Sequence, residues 1–174
     1  MGKLRGARGF TLIELMITVA IIGILAVVVI PYFFGESRKA KAKTEVAPFF
    51  AEFQTKEEQY KIDNGTYVDA AQCPLTPSST TQSVMACIGG SWPAALRINP
   101  PTQKAYCTYQ VTTGIAGGTP SPPAPFTMAP ICNPTCPTTW YWILATCDMD
   151  GQAGNSFYFT SSVDSTITVQ NEGK

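Results

Sequence analysis

The sequence predicts an α+β fold: a long, kinked N-terminal helix with a four-stranded antiparallel sheet packed on its C-terminal half. Three observations predict it. Residues 10–34, FTLIELMITVAIIGILAVVVIPYFF, form a 25-residue apolar run with one charge, Glu14. Val46, Phe49, Phe50, Phe53 and Tyr60 then recur mostly at three- and four-residue steps, the period of one helix face. Beyond residue 104 the pattern changes to β-favouring alternation, the period of a strand.

The apolar run comes first. At ~1.5 Å per residue a helix of this length covers roughly 37 Å. A bilayer core is about 30 Å thick, so the run spans it with some tilt. It is too long for the apolar region of a cleaved secretory signal, and no small-x-small cleavage site follows it. It is therefore expected to stay on the mature chain as an anchor or a packing helix. Glu14 stands out, because a charge inside an apolar membrane helix costs at least ~2–3 kcal/mol and so points to a function.

The helix is expected to continue over residues 35–66 as an amphipathic half. Glu45, Glu52, Lys56, Glu57 and Lys61 are read as its solvated face. Pro31, Gly35 and Pro48 are expected to kink it, since proline removes a backbone hydrogen bond and crowds the preceding turn. Asn64-Gly65 ends it, because both residues tolerate the left-handed conformation of a helix C-cap. Asn64-Gly65-Thr66 is also a glycosylation sequon by pattern, with capping the preferred role.

Residues 68–103 read as a turn-rich connection, with Trp92 and Leu96 anchoring its later part to the core. The four expected strands are 104–113, 139–147, 156–162 and 166–170. In the first, Cys107, Tyr109 and Val111 share a face. In the second, Trp140, Trp142 and Leu144 oppose Tyr141, Ile143 and Ala145, so both faces are apolar and the strand is expected to be central. Phe157 and Phe159 share a face of the third, and Ile167 and Val169 of the fourth are expected to point inward. Residues 117–137 hold 7 of the chain's 14 prolines and are excluded from any central strand. They read as a surface loop closed or tied down at Cys132 and Cys136.

Composition narrows the function. The 174 residues contain no histidine, which removes Ser-His-Asp and Cys-His catalysis and the commonest metal ligand. No other nucleophile–base or carboxylate-pair arrangement stands out, so no enzyme is expected. The chain has 12 basic and 12 acidic residues, and three of the basic ones lie in residues 1–9. The remainder is mildly acidic, which argues against direct nucleic-acid binding. All six cysteines, Cys73, Cys87, Cys107, Cys132, Cys136 and Cys147, follow the helix. An even count in an extracytoplasmic head favours disulfides over zinc, for which Cys132-x-x-x-Cys136 lacks a matching second pair. Six cysteines allow 15 connectivities; the expected set is Cys73–Cys87, Cys107–Cys147 and Cys132–Cys136.

Residues 1–9, MGKLRGARG, carry Lys3, Arg5 and Arg8, no acid, and end in Gly9. That basic leader, Gly9, the hexamer Phe10-Thr11-Leu12-Ile13-Glu14-Leu15 and Pro31 agree at fixed spacing. Together they resemble the class III signal of the type IVa pilin and pseudopilin (prepilin) family. Asn64-Gly65-Thr66-Tyr67 extends the resemblance to about residue 67, and Pro48 departs from it. The resemblance implies cleavage between Gly9 and Phe10 by a prepilin peptidase and N-methylation of Phe10. It makes Glu14 the assembly glutamate and Pro31 the helix-kinking proline. It divides the chain into a leader (1–9), a transmembrane and filament-core helix (10–34), an amphipathic helix half (35–66) and a disulfide-bearing head (67–174). The fold it implies is the pilin ladle.

The function implied is that of a structural subunit, major or minor, of a type IV pilus used for adhesion, twitching motility or DNA uptake. The resemblance also implies self-assembly driven through an inner-membrane platform and an ATPase motor, from a subunit that waits as a single-pass inner-membrane protein with a periplasmic head and then enters the extracellular filament. Orientation rests on the cysteines and the resemblance, because Arg38, Lys39, Lys41 and Lys43 beyond the apolar run offset the basic leader. Two alternatives stand: a pseudopilin of a type II secretion system, and a membrane-anchored extracytoplasmic binding module. The stretch 146–155 resembles an Asp- and Gly-rich turn of some pilins and pseudopilins. There Asp148 and Asp150, with an oxygen of Gln152 or Asn155, are a candidate calcium site set against a plain turn role. No other cofactor is expected.

Overall fold

The computed structural model describes residues 9–173, apart from the side chain of Pro31. Helix α1 runs Leu12–Asn64. Seven strands follow: β1 (Ala70–Cys73), β2 (Gln82–Ser83), β3 (Lys104–Ala105), β4 (Cys107–Gly114), β5 (Trp140–Cys147), β6 (Ser156–Ser161) and β7 (Thr168–Gln170). The described chain forms two compact units that divide between Ser37 and Arg38.

In the first unit the large apolar side chains of 10–34 are all solvent-exposed, apart from a half-buried position at residue 26. The helix carries no cover of its own. In the second unit, α1 from Arg38 onward packs on a five-stranded antiparallel sheet of order β1-β4-β5-β6-β7, while β2 and β3 form a separate two-stranded ribbon.

Four strands were expected and the sheet has five. The addition is β1, which pairs with β4 through Ala70↔Val111 and Cys73↔Tyr109 with an irregularity between the two pairs. That break in register hides the alternation a strand needs to be seen in sequence. The expected strand at 104–113 is also divided at Tyr106. The Tyr106 N–H donates to Glu45 rather than to a neighbouring strand, and β3 turns away to pair with β2.

β5 is central, between β4 and β6, and its two faces enter two different cores. Tyr141, Ile143 and Ala145 meet the helix side, with Val46, Phe49, Phe50 and Phe53 of α1 and Trp92 and Leu96 of the connection. Phe49 stacks on Tyr109 of β4 at 4.3 Å and 14°, and Phe53 meets Trp92 edge-on at 5.2 Å. Such pairs add ~0.5–1.5 kcal/mol each beyond their buried area. Trp140, Trp142 and Leu144 enter the second core with Phe159, Met128, Cys132 and Cys136. The Pro-rich loop is thus a roof over the outer face of the sheet. Its ends are held together by Gly117 N–H donating to the Cys136 carbonyl at 2.8 Å and Cys136 N–H to the Gly118 carbonyl at 3.0 Å.

Ile167 and Val169 correct a second expectation. They line a cleft with Val46 and Ala47 on the helix side, yet stay 36% and 38% exposed, because β7 is an edge strand at the rim of the core. Pro48 lies within α1.

Candidate functional site

Gly9 and Phe10 precede the first helical residue and are exposed, and a side chain at Gly9 would meet nothing within 4 Å. Lys3, Arg5 and Arg8 of the leader lie outside the described residues. The helix then starts with a reciprocal cap. Glu14 Oε2 accepts from the Thr11 N–H and from the Thr11 hydroxyl, both at 2.8 Å, and Thr11 Oγ1 accepts from the Glu14 N–H at 3.3 Å. This Thr-x-x-Glu box satisfies amides that a helix start leaves unpaired, and places a carboxylate at the positive end of the helix dipole. The sequence reading singled out Glu14 and passed over Thr11. The three-residue spacing was the signal for it. Pro31 lies within α1.

Two glutamates of α1, Glu45 and Glu57, overturn the expected solvated face, and a third, Glu52, holds a loop amide at its edge. Glu45 accepts from the backbone N–H groups of Tyr106 and Cys107, each at 2.9 Å to the nearer oxygen, and from the Tyr109 hydroxyl at 3.0 Å. Glu52 accepts from Asn99 N–H at 2.7 Å. Glu57 accepts from Val68 N–H at 3.1 Å, is 0% exposed, and has its other oxygen enclosed with no hydrogen-bond partner. Burial, opposed in part by those N–H donors, pushes the Glu45 carboxyl above its ordinary range. Burial pushes Glu57 up to about 7, helped by the nearby Asp69 and Glu58 charges and opposed by the Val68 N–H. The signal was positional: Glu57 follows Phe53 by four residues and precedes Tyr60 by three, on the apolar stripe itself.

The helix ends as its residues direct. Gly65 takes φ +79°, its N–H donates to the Lys61 carbonyl at 2.7 Å, and the Asn64 side chain donates to the Tyr60 carbonyl at 2.9 Å. Beyond it, disulfides join Cys73 to Cys87, Cys107 to Cys147 and Cys132 to Cys136. Cys107 and Cys147 are direct partners in the β4–β5 ladder.

Asp148 and Asp150 serve the β5–β6 turn. Asp148 Oδ1 accepts from Gly151 N–H at 2.6 Å and Asp150 Oδ1 from Gln152 N–H at 3.0 Å, with Gly151 at φ +69°. Among the described residues, no group of three or more His, Cys, Asp or Glu side chains is arranged to hold a metal.

The described residues thus combine an uncovered apolar helix segment, with a capped glutamate at its start, and a disulfide-bonded α+β head. Residues 4–30 match the model for the prokaryotic N-terminal methylation motif. The chain is 39% identical over 95 residues to the type IV wide pilus major component PilA4 of Thermus thermophilus, covering 51% of this chain and 72% of that one. It is 37% identical over 68 residues to the type II secretion system core protein G of Dickeya chrysanthemi, covering 39% of this chain and 44% of the relative. It is 40% identical over 67 residues to the core protein G of Vibrio cholerae, covering 38% and 45%. The chain thus spans under half the length of these secretion-system relatives. No solved structure matches it. The chain belongs to the type IV pilin family.

Proposed function

We propose that this chain is a structural subunit of a type IV pilus, made as a membrane-anchored precursor, cut between Gly9 and Phe10, methylated at Phe10 and polymerised with copies of itself. The observation that carries this reading is the apolar helix segment, exposed along its length and headed by Glu14. Only a bilayer or the same segment of neighbouring subunits offers it a matching environment. Cleavage leaves a cationic amine on Phe10, one helix turn from Glu14. An incoming amine 4 Å from a resident Glu14 carboxylate gains roughly 4 kcal/mol at an effective dielectric near 20, before desolvation. The pair works chiefly as a register device, since a mis-stacked subunit leaves a buried charge unpaired. A prepilin peptidase that also methylates, an inner-membrane platform and its ATPase are the partners this route requires. The chain's role is structural rather than catalytic.

The pseudopilin reading shares the helix and differs in the head. The match to the pilus component covers 72% of that relative, against 44% and 45% of the secretion proteins, and this favours the pilus. The test is mass spectrometry of sheared surface filaments, comparing the wild type with Glu14→Val. Filaments built mainly of this chain, starting at an N-methylated Phe10 and lost in Glu14→Val while membrane insertion persists, are expected. A functional protein that retains Met1, or normal filaments from the variant, would overturn the reading.

A further inference from the structure

The head carries a cleft of about 340 Å³. One wall is the Pro-rich loop near residues 125–129, and the other is the end of β6, the turn after it and β7. The floor is aromatic. Phe126 stacks on Phe159 with ring centroids 4.9 Å apart and planes 7° apart, and both rings line the cleft. With one face of Phe126 covered by Phe159, the half-buried ring has its remaining surface for a ligand.

Beside this floor stand the exposed Thr166 and the carboxylate of Asp164, while Ser161 is buried with its hydroxyl bonded to the Asp164 backbone. The Asp164 position is set by its own turn. Its carbonyl accepts from Ser161 N–H at 3.0 Å, its N–H donates to Ser161 Oγ at 3.2 Å, and its Oδ1 accepts from Thr166 N–H at 2.8 Å. The hydrogen bonds from Thr166 hold its carboxyl below the usual range, so it stays ionised. The lining includes no Lys or Arg.

We propose that this cleft binds a neutral hexopyranose of an oligosaccharide, its C–H face on Phe126 and its hydroxyls on Asp164 and the neighbouring Thr side chains. The C–H bonds of a pyranose face carry slight positive charge, which suits the negative face of an aromatic ring. A carboxylate offers about four acceptor sites, enough for the turn and for two adjacent sugar hydroxyls. Bonds to an ionised acceptor are the stronger kind. An anionic ligand would meet Asp164 with no lining cation to offset it. The volume falls within the range of small-ligand sites. The Cys132–Cys136 bridge and the paired ends of the loop fix the Phe126 wall before a ligand arrives, which lowers the ordering cost of binding.

The site belongs to the head and does not depend on polymerisation. Its test uses the full chain in micelles of a phosphocholine detergent, which carries no sugar. Saturation-transfer NMR is recorded against the methyl glycosides of glucose, galactose, mannose and N-acetylglucosamine. A methyl sialoside and a Pro-rich peptide are run beside them. Transfer to the ring C–H protons of at least one neutral glycoside is expected. Its affinity is expected to fall about three- to tenfold in Phe126→Ala. It is also expected to fall in Asp164→Asn, which keeps the turn's acceptor and so remains informative if Phe126→Ala fails to fold. No transfer to any neutral glycoside, undiminished transfer in both variants, or transfer only to the sialoside or the peptide overturns the proposal.

Discussion

The Tyr109 hydroxyl donates to the Glu45 carboxylate at 3.0 Å, so a charged residue of α1 holds the second strand of the sheet from within the interface. The same carboxylate takes the first N–H groups of that strand region, at Tyr106 and Cys107. Glu45→Ala strands two backbone donors and a phenol, and is expected to cost about 2–4 kcal/mol in urea unfolding of the micelle-bound chain. Tyr109→Phe removes one hydrogen bond and keeps the stack on Phe49, so about 1 kcal/mol is expected. An equal cost for the two variants would remove Glu45 from this clamping role.

Glu57 makes stability pH-dependent. Its carboxyl is pushed from an ordinary 4.5 up to about 7 in the fold. A raised pKa means that the folded state holds the proton more tightly. The contribution is full below the ordinary value and is lost as pH rises through about 7, to a total of roughly 3 kcal/mol. The melting temperature should therefore fall from about pH 5 to about pH 8. Glu57→Gln keeps an acceptor for Val68 N–H, and should flatten that fall and raise stability at the alkaline end. Glu45, raised in the same sense, leaves a residual slope. A wild-type profile flat across this window contradicts the assignment.

The disulfides are expected to differ in worth. Cys107–Cys147 closes a separation of 40 residues and Cys132–Cys136 one of 4. By loop-closure entropy the first contributes about 4 kcal/mol and the second about 2. Paired Cys→Ser variants, unfolded in urea, should fall in that order. The reverse order would mean that the small ring stabilises chiefly by holding the roof over Trp140 and Trp142.

Gly114 faces Trp140 across the β4–β5 ladder, and a Cβ at Gly114 would land on the Trp140 indole. Gly114→Ala is expected to cost about 1–3 kcal/mol and to alter the near-ultraviolet circular dichroism of the tryptophans. An unchanged spectrum and midpoint would show that the indole moves aside freely.

Much of the chain was legible because its signals are local. The apolar run, Glu14 at its fixed distance from Gly9, and the Asn64-Gly65 stop each depend on neighbours within a few turns. The two-sided apolar pattern of 140–147 likewise announced a strand covered on both faces, since period-two alternation sorts side chains before any partner is known. The sequence by itself therefore determined the apolar helix segment, the helix-then-sheet order and the family.

Tertiary structure decided the rest, because those choices belong to partners far along the chain. Glu45 and Glu57 look like solvated charges until the N–H groups of residues 106, 107 and 68 arrive to meet them. β1 becomes a strand only through β4, across a break in register. Fifteen cysteine pairings satisfy the count, whereas the ladder that sets Cys107 opposite Cys147 fixes one of the bonds. The Pro-rich loop has no period to read, and it became a roof because the outer face of β5 required burial. A contact across more than a hundred residues, such as Gln54 to Thr160 at 3.1 Å, leaves no mark in either local pattern.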